Sequence, residues 1–468
     1  MAGLLHQLYA RSPVWVQNAA VSAYGLYWRQ RRLGGDFSTE AAAFTSRDDL
    51  TAPEWRAWQQ HELQRLLHHA LATVPHYREL MRAAGITEAA ITADAFAALA
   101  ALPLLEKDTI RRSPAAFLSE TPGGKLAVNH TSGTSGTPLA IHLSAATHRR
   151  VLAAYEARVR RWAGVNVTMS RAMIGGRMVA PASQTAPPFW RYNMAERQLY
   201  MSAYHIGPAN VAAYAAALDR FKPDYLVGYA SAHFFLARLM HEAGIRPVHA
   251  PRAILASSEK LTDEMRELLQ RVYRCEVFDG YSGVEACCMA SECENHRLHL
   301  SPDVGIVELL DADGQPTPPG EVGEIVATGL LNFDQPLIRY RTGDSAVMST
   351  RACECGREMP SLERLEGRIE DTVVAPDGRE TVRFHGLFTA IPAVREGQLE
   401  QLTLHEFRVR VVADDRFDEA TVLDITTRLA ERLGSDVHCT VERVERIERT
   451  AGGKFKAVIS HVKRGDRP

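Results

Sequence analysis

At 468 residues the chain exceeds a single ordinary core, so two or three domains with a large buried interior are expected. Lys and Arg total 54 against 56 Asp and Glu, a formal charge of -2, which gives no electrostatic case for a nucleic-acid partner. Seven cysteines, an odd number in a long chain, do not form a secreted disulfide framework and point to a reducing, cytoplasmic compartment.

The N-terminal Met1-Ala2-Gly3-Leu4-Leu5-His6 carries no basic segment ahead of an apolar run. The uncharged stretch from Ser12 to Trp28 is broken by Gln17, Asn18 and Ser22, which predicts a surface-docking or interfacial helix and no transmembrane segment. From Thr51 to Gly85, Trp55, Trp58, Leu63, Leu66, Leu67, Ala70 and Leu71 recur at helical spacing, with Val74-Pro75-His76-Tyr77 closing the run. A second, alanine-rich helix is expected from Ala89 to Ala101, and Leu102 to Asp108 then leads through a short helix to a turn at Thr121-Pro122-Gly123-Gly124.

Asn129 to Pro138 is dense in hydroxyls and small residues. Two glycines let backbone N–H groups turn inward, and the hydroxyls between Thr131 and Ser135 add rotatable donors, as wrapping a polyphosphate requires. Gly136 is followed by Thr137-Pro138 where a Walker loop has Lys-Ser/Thr, so an ordinary P-loop is excluded; a solvated Ser/Thr/Gly turn is the competing reading. Ala140 to Ser144 reads as a strand and Ala145 to Trp162 as a helix with Ser144 as N-cap. Arg171 to Lys222, interrupted by four prolines, predicts a loop-rich region able to line a pocket. Strands at Tyr225–Tyr229, Ala253–Ala256 and Glu276–Phe278 alternate with helices at Ala232–Ala243 and Thr262–Tyr273, the signature of a mostly parallel sheet. From Val304 the texture becomes β, and the last hundred residues give strands at Phe407–Val412 and Val437–Val441 around a helix at Phe417–Leu433.

Three further segments carry chemistry. Asp279-Gly280-Tyr281-Ser282-Gly283-Val284-Glu285 follows a strand, where ligands bind in open α/β sheets; Tyr281 can lie against a planar base and Glu285 can hold Mg²⁺ between phosphates. Asp344, on the turn after Arg341-Thr342-Gly343, can accept both hydroxyls of a ribose. Lys454, on the glycine arm Ala451-Gly452-Gly453, can be brought to a developing negative charge and supply what the hydroxyl-rich loop lacks.

In this order the segments resemble the adenylate-forming superfamily of acyl-CoA ligases over nearly the whole chain, most of all the phenylacetate-CoA ligases and their CapK-type relatives. Thr131-Ser132-Gly133-Thr134-Ser135-Gly136-Thr137-Pro138 is similar to that family's phosphate loop, Leu102 to Asp108 to its preceding motif, Ser257-Ser258-Glu259 to its adenine-side loop, and Asp279 to Glu285 to its tyrosine-to-glutamate motif. Tyr340 to Asp344 is similar to the ribose motif, Gly367-Arg368-Ile369-Glu370-Asp371 to the hinge motif, and Thr450 to Lys454 to the catalytic-lysine motif. The resemblance implies an α/β fold. A large adenylation domain, residues 1–369, would hold a helical lead-in to residue 100, mixed and parallel sheets with crossover helices, and a β-rich part at 304–366. A small mobile α+β domain, residues 370–468, would follow.

It further implies ATP, Mg²⁺ and CoA as cofactors, with Lys454, Glu285 and Thr134 catalytic, the nucleotide held by Thr131 to Gly136, Ser258, Glu259, Asp279, Tyr281, Ser282, Asp344 and Arg368, and Glu370 as the hinge. A carboxylate would attack the α-phosphate of ATP, and an acceptor would then take the acyl group. The likeness points to Gly228, Tyr229, Ser231 and the Tyr204-His205 region as the acid pocket, suited with Phe234 to an aromatic or apolar acid, and it is compatible with a homodimer. Glu370 stands where the family more commonly has Asp, Ser257-Ser258 where glycine is frequent, and the stretch after the hinge is CapK-like. The acceptor is therefore CoA or, alternatively, an amine or hydroxyl in capsule or natural-product biosynthesis; a catalytically silent binding scaffold is a third reading. Separately, Cys293, His299, Cys353 and Cys355 make a complete tetrahedral ligand set for a structural Zn²⁺, with His296 as a competing ligand, and this too resembles a site in relatives.

Overall fold

The computed structural model describes residues 9, 11–131, 139–181, 183–311, 313–366, 373–381, 384–388, 391, 393–448 and 457–462. The helix Ala52–Thr73 begins in a capping box, with the Thr51 amide donating to Glu54 Oε2 at 2.8 Å, and buries Trp55, Leu63, Leu66, Leu67 and Ala70. Val74-Pro75 does not close the helical region: Pro75 occupies the first turn of a further helix, Pro75–Ala83, where its missing N–H costs nothing. The single helix expected over 89–101 is two, Glu88–Ala93 and Ala95–Ala100. Asp94 leaves helical geometry and caps the second, accepting from the amides of Phe96 and Ala97. Ser144 caps Ala145–Tyr155 as expected, and that helix continues into one π turn, Glu156–Arg160.

Strands β1 (Ala127–His130) and β2 (Ala140–Leu143) form an antiparallel hairpin, with His130 opposite Ala140. The central sheet begins with β3 (Arg171–Gly175), β4 (Trp190–Asn193) and β5 (Gln198–Ser202), followed by β6 (Tyr225–Tyr229), β7 (Ala253–Ser257) and β8 (Glu276–Ser282). The order 5-3-6-7-8 is parallel throughout, and β4 lies antiparallel on the outer edge. The loop-rich region expected over 171–222 thus holds three strands and the helix Val211–Phe221. Beyond β8 pairing turns antiparallel through β9 (Met289–Glu292) and β10 (Leu298–Leu300), earlier than the change of texture at Val304. The strands β11 (Gly305–Leu310), β12 (Val322–Gly329), β13 (Tyr340–Met348) and β14 (Ser361–Glu366) complete the sheet in the order 10-14-13-12-11. This is the α/β architecture with crossover helices and a β-rich part that the strand-helix alternation predicted.

Residues from Val373 onward build their own core. Val373, Phe384, Leu399, Phe407, Val409, Ile425, Leu429 and Val458 are buried together between a four-stranded sheet and the helix Glu419–Leu433. One further core lies between the N-terminal helices and the inner face of the antiparallel strands, and another between the parallel strands and their crossover helices. No helix among the described residues is long and apolar enough to cross a membrane.

Candidate active site

The parallel strands β6, β7 and β8 end on one side of the sheet, so the segments that follow them are neighbours although they are far apart in sequence. Near the end of β6, Gly228 has φ +139 and its missing Cβ would lie 1.9 Å from the Ile174 carbonyl oxygen, so only glycine lets β3 and β6 approach this closely. After β7, Ser258 has φ +72 and takes the backbone conformation that favours glycine. Glu259 then reaches across to the β6 end, accepting from the Ser231 amide at 3.0 Å and the Ser231 hydroxyl at 2.5 Å.

At the end of β8, Tyr281 donates its hydroxyl to Asp344 Oδ2 at 3.0 Å. Burial pushes the phenol well above its ordinary pKa, so it stays protonated and able to donate. Asp344 sits where β13 loses register with β12, after Gly343 at φ +81, and this bulge turns the carboxylate toward the end of β8. Tyr340 donates to Glu285 Oε1 at 3.2 Å, and Lys107 Nζ stands 3.9 Å from the same oxygen. Lys107 was not singled out from sequence. It arrives here because Leu105 bridges to β13, donating to the Arg339 carbonyl at 2.8 Å and accepting from Arg341 N at 3.0 Å. Its place at the end of the Leu102–Asp108 motif was the available signal. Asp279 accepts from the Gly280 amide, and its own amide donates to Glu292; burial first, and then the Glu292 charge, push its carboxyl up to about 7.

The base of the hydroxyl-rich loop is closed twice, with Thr131 N donating to the Leu139 carbonyl at 3.0 Å and Leu139 N to Thr131 Oγ1 at 2.9 Å. The loop residues Ser132, Gly133, Thr134, Ser135 and Gly136 lie outside the described residues, as do Arg368, Glu370 and Lys454. Among the residues expected to form the acid pocket, Tyr229 lies against Gly176: a Cβ there would be 2.6 Å from the Tyr229 hydroxyl oxygen. Tyr204 donates to the Gly176 carbonyl at 3.0 Å. His205 is buried and stacked on Phe189, with Nδ1 at 2.8 Å from Ser202 Oγ and Nε2 at 3.2 Å from the Pro181 carbonyl. Both ring nitrogens are therefore engaged by protein atoms. Burial, reinforced by Arg379, lowers its pKa, so it braces the wall of the site as a neutral ring.

The ligand atoms of Cys293, His299, Cys353 and Cys355 all lie within 4.8 Å of one another. Cys293 Sγ is 3.6 Å from Cys353 Sγ, and Cys355 Sγ is 3.3 Å from His299 Nε2. A tetrahedral ion with ordinary Zn–S and Zn–N bonds would set these separations at about 3.8 and about 3.5 Å, so the cluster fits such an ion with little movement. His299 Nδ1 lies 3.1 Å from the Met359 carbonyl, which fixes the tautomer that offers Nε2 to a metal. His296, the competing ligand, is instead held by Glu292 and Glu276 at 3.2 and 3.1 Å. Cys287 and Cys288 are buried in the N-terminal core and stand apart from the cluster.

Residues 376–461 match the family model of the CapK C-terminal domain. Over 98% of its length the chain is 26% identical to the whole of protein CapK from Staphylococcus aureus, and over 88% it is 24% identical to 98% of phenylacetate-coenzyme A ligase from Thermus thermophilus. Among solved structures, 2-hydroxyisobutyryl-CoA ligase in complex with 2-HIB-AMP and CoA superposes with a TM-score of 0.59 at 21% identity, covering 88% of this chain and 91% of that one. The motif order, the strand-end geometry and these relationships agree: the chain is similar over nearly its whole length to CapK and to phenylacetate-CoA ligase, and it shares the fold of an acyl-CoA ligase.

Proposed function

We propose that the protein is an AMP-forming acid–CoA ligase that activates a carboxylic acid with an aromatic or apolar body as an acyl-adenylate and transfers it to CoA. The observation that carries this reading is the meeting, at the ends of β8 and β13, of Tyr281 with Asp344 and of Glu285 with Lys107 and Tyr340. Asp344 would accept the ribose hydroxyls, and Tyr281 would hold that carboxylate in place while offering its ring to the base. Glu285 would hold Mg²⁺, which supplies charge neutralisation at the phosphates. Thr131 and the loop it closes would hold the β- and γ-phosphates. Lys454 would meet the negative charge that develops at the α-phosphate as the substrate carboxylate attacks and pyrophosphate leaves. The acyl group then passes to the CoA thiol, with AMP as the leaving group.

Lys454→Ala should abolish acid-dependent exchange of labelled pyrophosphate into ATP. If no member of a broad panel of aryl and fatty acids supports exchange in the wild type, the reading fails. In a second reading an amine or hydroxyl takes the acyl group. AMP release that rises with CoA supports the first reading, and release that rises only with an added amine or alcohol supports the second. The Cys293, His299, Cys353 and Cys355 cluster is proposed to hold Zn²⁺ in a closed, structural role. Its position beside buried Trp55, Trp162 and Met359 supports that role.

A further inference from the structure

The helix Val14–Leu33 is amphipathic in the reverse sense for a helix on a soluble domain. Its polar residues Gln17, Asn18 and Ser22 face the protein, alongside Val14, Val21 and Trp28. Asn18 Oδ1 accepts from the Tyr192 amide at 2.9 Å, Ser22 Oγ accepts from the Met194 amide at 3.0 Å and donates to the Tyr192 carbonyl at 3.4 Å, and buried Gln17 accepts from Arg191. These side chains cover the outer edge of β4, the last strand of the sheet, and satisfy backbone groups that would otherwise pair with another chain. Gly25 fixes the rotation of the helix: a Cβ there would lie 2.3 Å from Asn193 Nδ2. The helix cannot roll to bury its other side without uncovering that edge.

The other side is apolar and faces outward. Trp15 is 73% exposed, Tyr24 58%, Leu26 61% and Tyr27 61%, with Ala19, Ala20 and Ala23 exposed between them. At 100° per residue these seven positions share one half of the helix surface, together with exposed Gln30 and, in the last turn, half-buried Arg31. Arg11 and Arg29 are exposed at its two ends, and residues 1–35 contain no Asp or Glu but four arginines, Arg11, Arg29, Arg31 and Arg32. Arg32 is half-buried 4.0 Å from Glu196; burial lowers its pKa, Glu196 opposes that shift, and the charge of Arg177 in the loop after β3 adds to it. Met194, 68% exposed, extends the apolar surface from the turn after β4.

From this arrangement we propose that the exposed face of Val14–Leu33 docks on an anionic membrane surface. Tryptophan and tyrosine suit the headgroup boundary, leucine and alanine the acyl region just below it, and the exposed Arg11 and Arg29, in a segment without Asp or Glu, suit anionic headgroups. A second copy fits less well, because a symmetric seam would bring two acid-free, arginine-bearing helices together with no carboxylate between them. The docked helix would hold an otherwise globular enzyme at a lipid surface without spanning it.

The test is flotation of the full chain with vesicles of phosphatidylcholine alone or with about 30 mol % phosphatidylglycerol. The wild type should float with the anionic vesicles, release as salt is raised, and show a fluorescence blue shift that Trp15→Phe removes. The combined Trp15→Ser, Leu26→Ser and Tyr27→Ser variant should bind roughly tenfold more weakly with its melting temperature unchanged, since these side chains already face solvent. Arg11→Glu with Arg29→Glu should remove the preference for anionic vesicles. Absence of flotation at low salt, or flotation unaffected by the triple substitution, overturns the proposal. So does a wild-type dimer that the triple substitution converts to monomer while neither form binds vesicles, which would make the face a seam between copies.

Discussion

Asp279 and Asp344 stand near the same strand ends, yet their surroundings set them different tasks. Asp344 lies on a bulge and accepts the Tyr281 hydroxyl on Oδ2, and a carboxylate with about four lone-pair sites can take that bond and still receive a diol. Asp344→Asn keeps an oxygen for Tyr281 but loses the charge, so we expect the fold to survive and the KM for ATP to rise about tenfold or more, as is usual when a charged hydrogen bond is lost. Steady-state kinetics at varied ATP, with the melting temperature as control, checks this. Asp279 is enclosed beside Glu292, and its carboxyl is pushed up to about 7. Because its folded pKa lies above the unfolded value near 3.8, the native state keeps a proton that the unfolded chain has released. That contribution to stability is fully present below the unfolded pKa and is lost as pH rises through about 7. Asp279→Asn should therefore flatten the fall in melting temperature between pH 5 and pH 8 relative to wild type, an interval spanning about three pKa units across the neutral range. Parallel pH profiles of the two proteins would refute the assignment.

At the level of elements, what could be read from sequence follows from where the polar residues stand. β6, β7 and β8 open on short apolar runs that give way to Gly228, Ser257-Ser258-Glu259 and Asp279, so the strands and a candidate site at their ends were legible. β3 and β5 were not, because they are buried on both faces and show no alternation, and prolines between them read as loop. The contact of Lys107 with Glu285 was equally hidden, since it depends on Leu105 joining β13 more than two hundred residues away. The cysteine-histidine set was legible because ligand chemistry marks it, whereas its setting was not. His299 meets Trp162 edge-on at 6.0 Å, Arg357 lies over Trp162 at 4.5 Å, and Trp162 donates to Asp48 at 3.0 Å. The cluster thus ties β10 and the segment before β14 to the helical layer. We expect a metal content near one zinc per chain. Cys355→Ser should lower that content and the melting temperature by about 5 °C or more, reflecting the loss of one thiolate ligand from a site that contributes directly to folding. A wild-type protein free of metal by elemental analysis would contradict this expectation.

For the whole molecule, the decisive contact is the one between the segment that follows the proposed hinge and the wall of the acid site. Arg379, on the turn between β15 (Val373–Val374) and β16 (Glu380–Thr381), donates to the Tyr204 carbonyl and, at 3.4 Å, to the Arg432 carbonyl. Gly207 makes room for its stem: a Cβ there would lie 3.1 Å from Arg379 Cγ. Tyr204 in turn holds the Gly176 carbonyl beside Tyr229. One guanidinium therefore joins the C-terminal sheet to the surface where the acid is proposed to sit. If adenylation and acyl transfer use different placements of the C-terminal domain, this contact belongs to one of them, and its loss must act unequally on the two half-reactions. Arg379→Ala should change pyrophosphate exchange and acceptor-dependent AMP release by factors that differ about fivefold or more, equivalent to roughly 1 kcal/mol between the two arrangements. Arg379→Lys, which keeps the charge but not the guanidinium whose Nη1 reaches both carbonyls, should fall between the wild type and Arg379→Ala. Equal losses in both half-reactions, with an unchanged ratio, would reduce Arg379 to general support of the fold and leave the placement of the domain independent of it.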